Sequence, residues 1–180
     1  MHRTALRIAT ALLALTPALA PTLASAHPGH DGASLVHGFL HPLGGIDHIV
    51  AMVAVGLLAA RLGGRALWLV PASFVTAMAV AGLAGIAGVT LPYAETGIAL
   101  SVIVLGAIVV LRLTMPVAVA MGLVAFFAIF HGYAHGIEMP ETASGLAYGA
   151  GFVAATALLH GLGIALGLAL PGTAFKRRAA

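Results

Sequence analysis

Five long apolar stretches dominate this sequence of 180 residues. They cover approximately residues 42–60, 66–88, 95–111, 116–138 and 143–170. Each is close to the roughly 20 residues that an α-helix needs to cross the hydrocarbon core of a bilayer. Because backbone polar groups inside a bilayer must find their partners within the chain, such stretches fold as helices. The sequence therefore predicts an all-α integral membrane protein, with a single transmembrane domain over residues 27–180 built as a bundle of about five transmembrane helices.

The composition agrees with a membrane protein and excludes several other classes. Hydrophobic residues make up 61% of the chain and charged residues only 7%, and the mean hydropathy of +1.10 is far above that of soluble domains. The 23 glycines suit close helix packing. The absence of cysteine from the sequence excludes disulfides, thiolate metal sites and Fe–S clusters. The few basic residues lie in short loops and a tail, so the pI near 10.0 indicates topology rather than nucleic-acid binding.

The first 26 residues have the pattern of a secretory signal peptide. Two arginines precede an apolar run, and residues 24–26, Ala-Ser-Ala, supply the small residues of a cleavage site. The alternative is an uncleaved first transmembrane helix, but Pro17 and Pro21 interrupt the run early. Cleavage after Ala26 leaves His27 as the mature N-terminus on the outer side of the membrane.

The basic residues predict the orientation of the bundle. If the mature N-terminus is outside, the first and third loops and the C-terminus face the cytoplasm. Those segments hold every Lys and Arg after residue 26: Arg61, Arg65, Arg112, Lys176, Arg177 and Arg178. The outer loops, near residues 89–94 and 139–142, hold none, as the positive-inside rule requires. We predict an N-out/C-in, multi-pass protein of the bacterial inner (cytoplasmic) membrane.

Two groups of ionisable residues lie at the ends of apolar stretches. HGFLHPLGGIDH contains His37, His41, Asp47 and His48, and FHGYAHGIE contains His131, His135 and Glu138. The last three are spaced i, i+4 and i+7, so they share one helix face. Two imidazoles and a carboxylate on one face suit a divalent transition metal. Ionisable residues within a membrane span also predict a functional site.

The two groups are expected to lie at similar depths. His48 follows Pro42 by six residues, which places it roughly 9 Å below the outer surface. His131 follows Pro116 by fifteen residues, which places it roughly 8 Å below the same surface in a core of about 30 Å. We therefore predict one site of about four to six ligands where the first and fourth helices meet. Its metal ligands are His41, Asp47, His48, His131, His135 and Glu138.

Some of these residues have simpler interpretations, which the sequence leaves open. His41 can cap a helix in the interface without binding an ion, and His37 can be a solvated loop residue. Asp47 and His48 can pair with each other or with a backbone carbonyl as a structural contact.

Three further histidines are accessory metal candidates together with His37. His160 lies deep, near the cytoplasmic side, where it is either a structural hydrogen-bonding group or an inner station for the ion. His27 and His30 belong to the HPGHDG segment at the predicted mature N-terminus. That segment is either a flexible metal-collecting tail or a merely polar one.

With these motifs in hand, the chain resembles the HupE/UreJ family of nickel/cobalt permeases and hydrogenase or urease accessory proteins. The resemblance covers nearly the whole chain, including HPGH, HPLGGIDH and FHGYAHGIE. HPLGGIDH is similar to the family pattern H-P-x-G-x-x-D-H. The resemblance implies that the residues needed for transport are His41, Asp47, His48, His131 and Glu138. It also implies a secondary permease or diffusion facilitator that takes up Ni²⁺ or Co²⁺ for metalloenzyme maturation, such as that of hydrogenase or urease.

The expected partners follow from the same chemistry. Imidazole and carboxylate ligands without thiolate suit Ni²⁺, Co²⁺ or Zn²⁺ better than Cu(I). We predict a transporter and not an enzyme, with transported Ni²⁺ or Co²⁺ as its substrate and no permanently bound cofactor. Membrane lipid surrounds it, no nucleic acid binds it, and the sequence leaves open whether it forms a homo-oligomer.

Two other functions are alternatives. The first is an intramembrane zinc-dependent hydrolase, which the spacing of His131 and His135 permits. However, Gly132 stands where an HExxH motif has its glutamate, and neither Ser73 nor Ser101 lies near the clusters in sequence. The second is a haem-binding membrane subunit with His131 and His160 as axial ligands, although their predicted depths differ.

Overall fold

The computed structural model describes residues 35–139 and 145–169, and within these ranges the chain folds into six α-helices. They are α1 (Leu35–Leu40), α2 (Ile46–Leu62), α3 (Ala66–Ile86), α4 (Ala94–Val110), α5 (Val117–Ile137) and α6 (Gly145–Ala169). The described ranges contain no strand, so the predicted all-α class is confirmed. The predicted signal peptide, residues 1–26, lies outside them, as do His27 and His30.

The first apolar stretch is broken, whereas the sequence suggested a single helix from about residue 42. A 3₁₀ turn, His41–Leu43, follows α1, and α2 begins only at Ile46. The two parts meet at 86°. Gly45 has extended backbone angles at the break, so the helical hydrogen-bond ladder stops there. The depth calculated for His48 by counting from Pro42 along a straight helix therefore does not apply.

The helices differ in how well they suit a membrane span. By length and apolar composition α3, α5 and α6 can each cross a bilayer, and the bent pair α1–α2 can act as a fourth span. Helix α4 is apolar but has 17 residues, the lower end of the usual range. The count of five spans and the N-out/C-in orientation stay predictions. Large apolar side chains such as Leu83, Phe126 and Leu146 are more than half exposed, as on surfaces that contact lipid.

Glycines allow the closest helix crossings. Helix α3 packs mainly on α5, and α2 mainly on α6. A Cβ on Gly132 or Gly136 would collide with the backbone of α3, and a Cβ on Gly56 or Gly163 would collide across the α2–α6 contact. Small residues at such crossings let transmembrane helices approach closely. Because Gly132 and Gly136 each follow a histidine, their contact with α3 places His131 and His135 on the adjoining face of α5.

Candidate metal site

Three predicted ligands meet where the end of α5 lies beside the 3₁₀ turn that precedes α2. We call His41, His135 and Glu138 the outer cluster. His41 Nε2 lies 3.2 Å from His135 Nδ1 and 3.2 Å from Glu138 Oε2. His135 Nδ1 lies 3.4 Å from the same carboxylate oxygen. The three atoms therefore form a nearly equilateral triangle, and among the described residues this is the group with the spacing of a metal site.

The size of this triangle suits a first-row transition metal. Such ions bind imidazole nitrogen and carboxylate oxygen at about 2.0–2.2 Å. Two ligand atoms at a tetrahedral angle are then about 3.3–3.6 Å apart, and at a right angle about 3.0 Å. The observed separations of 3.2–3.4 Å lie between these values. Small adjustments of the rings would therefore let all three atoms face one ion.

The outer cluster is open on one side. The exposed fraction of the side chain is 55% for Glu138, 30% for His41 and 19% for His135. Hydrogen bonds with His135 and then His41 hold the pKa of the Glu138 carboxyl at about 2, below its usual 4.5. The carboxylate therefore stays charged at any ordinary pH, next to two imidazoles that can turn their lone pairs toward a cation.

A second pair of imidazoles lies deeper. We call His48 and His131 the inner pair. They are 2% and 0% exposed, and their Nδ1 atoms are 3.3 Å apart. The ring of His48 also lies 5.2 Å, centroid to centroid, from both His131 and His135. The rings thus form a continuous column from the half-exposed Glu138 to the fully buried His131.

Hydroxyl and aromatic side chains surround the inner pair. Ser101 Oγ of α4 lies 2.8 Å from His131 Nε2, and Thr156 Oγ1 of α6 lies 3.4 Å from His48 Nε2. The Phe152 ring packs 4.4 Å from His135 and 5.2 Å from His48, centroid to centroid. Four helices therefore contribute to the column: α2, α4, α5 and α6.

The single site predicted at the meeting of the first and fourth helices is divided in the structure. Helices α2 and α5 make few direct contacts, because each packs mainly on another helix. Their histidine rings meet in the interior between them. The outer cluster and the inner pair are consequently two successive groups that share the neighbouring rings of His48 and His135.

Asp47 is not part of either group. Its Oδ1 atom accepts a hydrogen bond from the backbone N–H of His48 at 2.8 Å. The residue stands in the first turn of α2, where backbone N–H groups have no helical partner and a carboxylate is favourable to the helix dipole. The structure thus places Asp47 as a helix-terminal group beside the column.

Two accessory candidates lie apart from the clusters. The His37 ring, on α1, is 6.0 Å from the Tyr148 ring, centroid to centroid. His160, on α6, is 1% exposed and packs edge-on against Phe74. Neither ring nitrogen of His160 has a hydrogen-bond partner within the described ranges. His160 follows Thr156 by one helical turn, so it continues the face of α6 that meets His48.

Comparison with known proteins agrees with the motifs. The family model described as "HupE / UreJ protein" matches residues 13–179. The Protein HupE of Rhizobium leguminosarum bv. viciae is 48% identical over 160 residues, which cover 89% of this chain and 82% of that protein. The chain belongs to the HupE/UreJ family. The resemblance predicted from its motifs is therefore confirmed. No solved structure matches the chain.

The sequence motifs do not identify three residues of this HupE/UreJ chain that lie near the candidate site. Ser101, Thr156 and Phe152 were not assigned to it, because each is distant in sequence from both histidine motifs. A weak signal existed for two of them. Ser101 is the one polar side chain between residues 97 and 110 of an apolar helix, and Thr156 precedes His160 by four residues on the same helix face.

Proposed function

We propose that this chain takes up Ni²⁺ or Co²⁺ across the bacterial inner membrane as a secondary permease or diffusion facilitator. We further propose that the ion supplies the maturation of a metalloenzyme such as hydrogenase or urease. Membership of the HupE/UreJ family supports both statements. The observation that carries the transport function is the column of ligands, in which the outer cluster leads directly to the inner pair.

The column is suited to removing water from an ion in steps. Three protein ligands in the outer cluster leave room on a six-coordinate ion for bound water. The half-exposed Glu138 attracts the cation, and the buried imidazoles replace its water further in. A transport site must bind an ion well enough to admit it and weakly enough to release it. A mixed set of neutral imidazoles and one carboxylate meets both requirements, and His160 is the next imidazole along the path.

The driving force is the ion gradient together with the membrane potential. A divalent cation moving inward gains about 4.6 kcal/mol per 100 mV, twice the value of a single charge. The sequence has no nucleotide-binding signature, so this proposal assigns no ATP hydrolysis to the chain.

Uptake of radioactive nickel into proteoliposomes tests the proposal. We expect His48→Ala and His131→Ala to lower the initial rate at least about tenfold, because losing even an outer-shell partner of a metal ligand costs 10–100-fold. Tyr133→Phe is the matched control, since Tyr133 lies between the two histidines of α5 in sequence and faces away from them. His160→Ala tests the inner station in the same assay.

The opposite result in this transport assay would contradict the proposal. If both histidine variants insert normally and transport at the rate of the unaltered protein, the column is not the path. Competition by unlabelled Ni²⁺, Co²⁺ and Zn²⁺ in the same vesicles identifies the preferred ion, which ligand type alone does not decide.

One observation favours the alternative function of a zinc hydrolase, namely the contact between Ser101 and His131. In a serine hydrolase the serine hydroxyl donates its hydrogen to the histidine base. Here the hydroxyl of Ser101 donates to the Ile98 carbonyl at 2.6 Å instead, and the residue is 0% exposed. For the haem alternative, the ring of Phe74 packs against both proposed axial ligands, at 5.8 Å from His131 and 5.2 Å from His160 between ring centroids. Transport therefore remains the function that the site supports best.

A further inference from the structure

Both ring nitrogens of His131 have a defined neighbour. Nε2 lies 2.8 Å from Ser101 Oγ, and Nδ1 lies 3.3 Å from His48 Nδ1. A neutral imidazole carries one hydrogen, so one nitrogen donates and the other keeps a lone pair. Only the nitrogen with the lone pair can bind a metal. The position of that hydrogen thus decides whether His131 can act as a ligand toward His48.

Ser101 determines where the hydrogen lies. Its Oγ is 2.6 Å from the Ile98 carbonyl oxygen, and a carbonyl can only accept. The one hydroxyl hydrogen of Ser101 is therefore used there, and Oγ offers His131 only lone pairs. The short contact then requires that His131 Nε2–H donates to Ser101. The Nδ1 atom of His131 is left with its lone pair directed at His48.

His48 has a more adaptable partner. Thr156 Oγ1 lies 3.4 Å from His48 Nε2 and 3.9 Å from the sulfur of Met78, and its hydroxyl hydrogen can point to either. When this hydrogen points to His48 Nε2, that nitrogen accepts it, the ring hydrogen of His48 lies on Nδ1, and Nδ1–H donates to His131 Nδ1. When it points to Met78, His48 Nε2–H donates to Thr156, and both Nδ1 lone pairs face each other. Their separation of 3.3 Å is that of two neighbouring ligands on one ion, about 3.0–3.6 Å.

We propose that Ser101 is a positioning residue that holds His131 in the Nε2–H tautomer, so that its Nδ1 atom is always available to an ion at the inner pair. Because the Thr156 hydroxyl can donate to or accept from His48 Nε2, the Nδ1 atom of His48 can either donate a hydrogen bond to His131 or bind the ion. The ligand role rests on the proposed function, whereas the tautomer of His131 does not. Hydrogen bonds from the second nitrogen of a metal-binding histidine commonly set its tautomer in this way.

Nitrogen NMR of the full chain with ¹⁵N-labelled histidine, purified without metal, tests the proposal. The His131 signals are assigned from their loss in His131→Gln. We expect the ring hydrogen of His131 on Nε2 in the unaltered protein, and on Nδ1 or on both nitrogens in Ser101→Ala. Ser73→Ala is the matched control, because Ser73 bonds only to the Met121 carbonyl, on α5. We expect no change in that variant.

Binding of Ni²⁺ gives a second readout. We expect Ser101→Ala to weaken it by about 10–100-fold, and Ser101→Thr, which retains the hydroxyl, to recover most of that loss. If Ser101→Ala does not insert, Ser101→Cys, of similar size and a weak acceptor, takes its place. An Nδ1–H tautomer in the unaltered protein, or an unchanged tautomer in Ser101→Ala, overturns the proposal. If the tautomer is as expected but the unaltered protein transports no metal, the proposed function fails and the positioning role stands.

Discussion

At the residue scale, the site depends on which atom of each side chain faces which neighbour. His131 and His48 present Nδ1 to each other, whereas His41 presents Nε2 to the Nδ1 of His135. Asp47 has a suitable carboxylate one residue before His48 but uses it on a backbone N–H. Residue type and depth do not show which of Asp47 and His48 faces the column, because side-chain direction depends on tertiary packing; the ligand role of Asp47 stays a prediction.

The charge of Glu138 leads to a prediction about pH. Its pKa is lowered from the usual 4.5 to about 2, so its favourable interactions are fully present above that usual value and are lost as the pH falls from there through about 2. We expect Glu138→Gln to weaken Ni²⁺ binding at least about tenfold at every pH from about 5 to 8, because the carboxylate that it removes is charged throughout that range.

Titration of Ni²⁺ binding at several pH values in this range measures the loss. Glu95→Gln is the matched control, since Glu95 is an exposed carboxylate in the first turn of α4. We expect it to bind Ni²⁺ like the unaltered protein. Binding by Glu138→Gln equal to that of the unaltered protein at any pH in this range would contradict the role of the carboxylate.

At the scale of the elements, glycine spacing orients α5. In the segment HGYAHG each of the two histidines, which are predicted ligands, is followed directly by a glycine. The glycines permit backbone contact with α3. This contact sets the orientation of α5 about its own axis, so that its histidines face the column. The break between α1 and α2 has a similar effect, because it brings His41 onto the end of α5.

Replacement of one glycine tests this packing. A Cβ at Gly132 would collide with the carbonyl of Met78, whereas a Cβ at Gly122, on the same helix, meets nothing within 4 Å. We expect Gly132→Ala to destabilise the protein by about 1–3 kcal/mol, the usual cost of overpacking. Gly122→Ala should be neutral or slightly stabilising, since alanine is the better helix former. Thermal unfolding in detergent compares them, and equal melting temperatures would contradict the close crossing.

At the scale of the whole molecule, the outer cluster and the basic residues within the described ranges lie at opposite ends of the helices. The outer cluster stands where α5 ends and α2 begins. Arg61 lies in the last turn of α2 and Arg112 precedes α5, and the two are close enough to interact electrostatically. The positive-inside rule assigns the basic end to the cytoplasm. With this predicted orientation, the outer cluster would face the side from which an ion arrives in the proposed uptake.

Single cysteines test this orientation, because the chain has none of its own. Pro92→Cys lies beyond α3 at the end with the outer cluster, and Leu113→Cys lies after α4 at the basic end. In intact spheroplasts a membrane-impermeant maleimide should label the cysteine at position 92 and reach the one at 113 only after permeabilisation. The reverse pattern would place the outer cluster in the cytoplasm and contradict uptake by this route.

The helices and part of the candidate site can be predicted from local sequence patterns. Apolar length specifies helices, because a backbone in lipid must satisfy its own hydrogen bonds locally. Helical spacing likewise put His131, His135 and Glu138 on one face before any partner was known. Three-dimensional packing was needed to divide the predicted ligands into an outer cluster and an inner pair, to turn Asp47 to the backbone and to bring Ser101 to His131. Those outcomes depend on how closely helices cross and how each is rotated, and contacts between residues far apart in sequence set both.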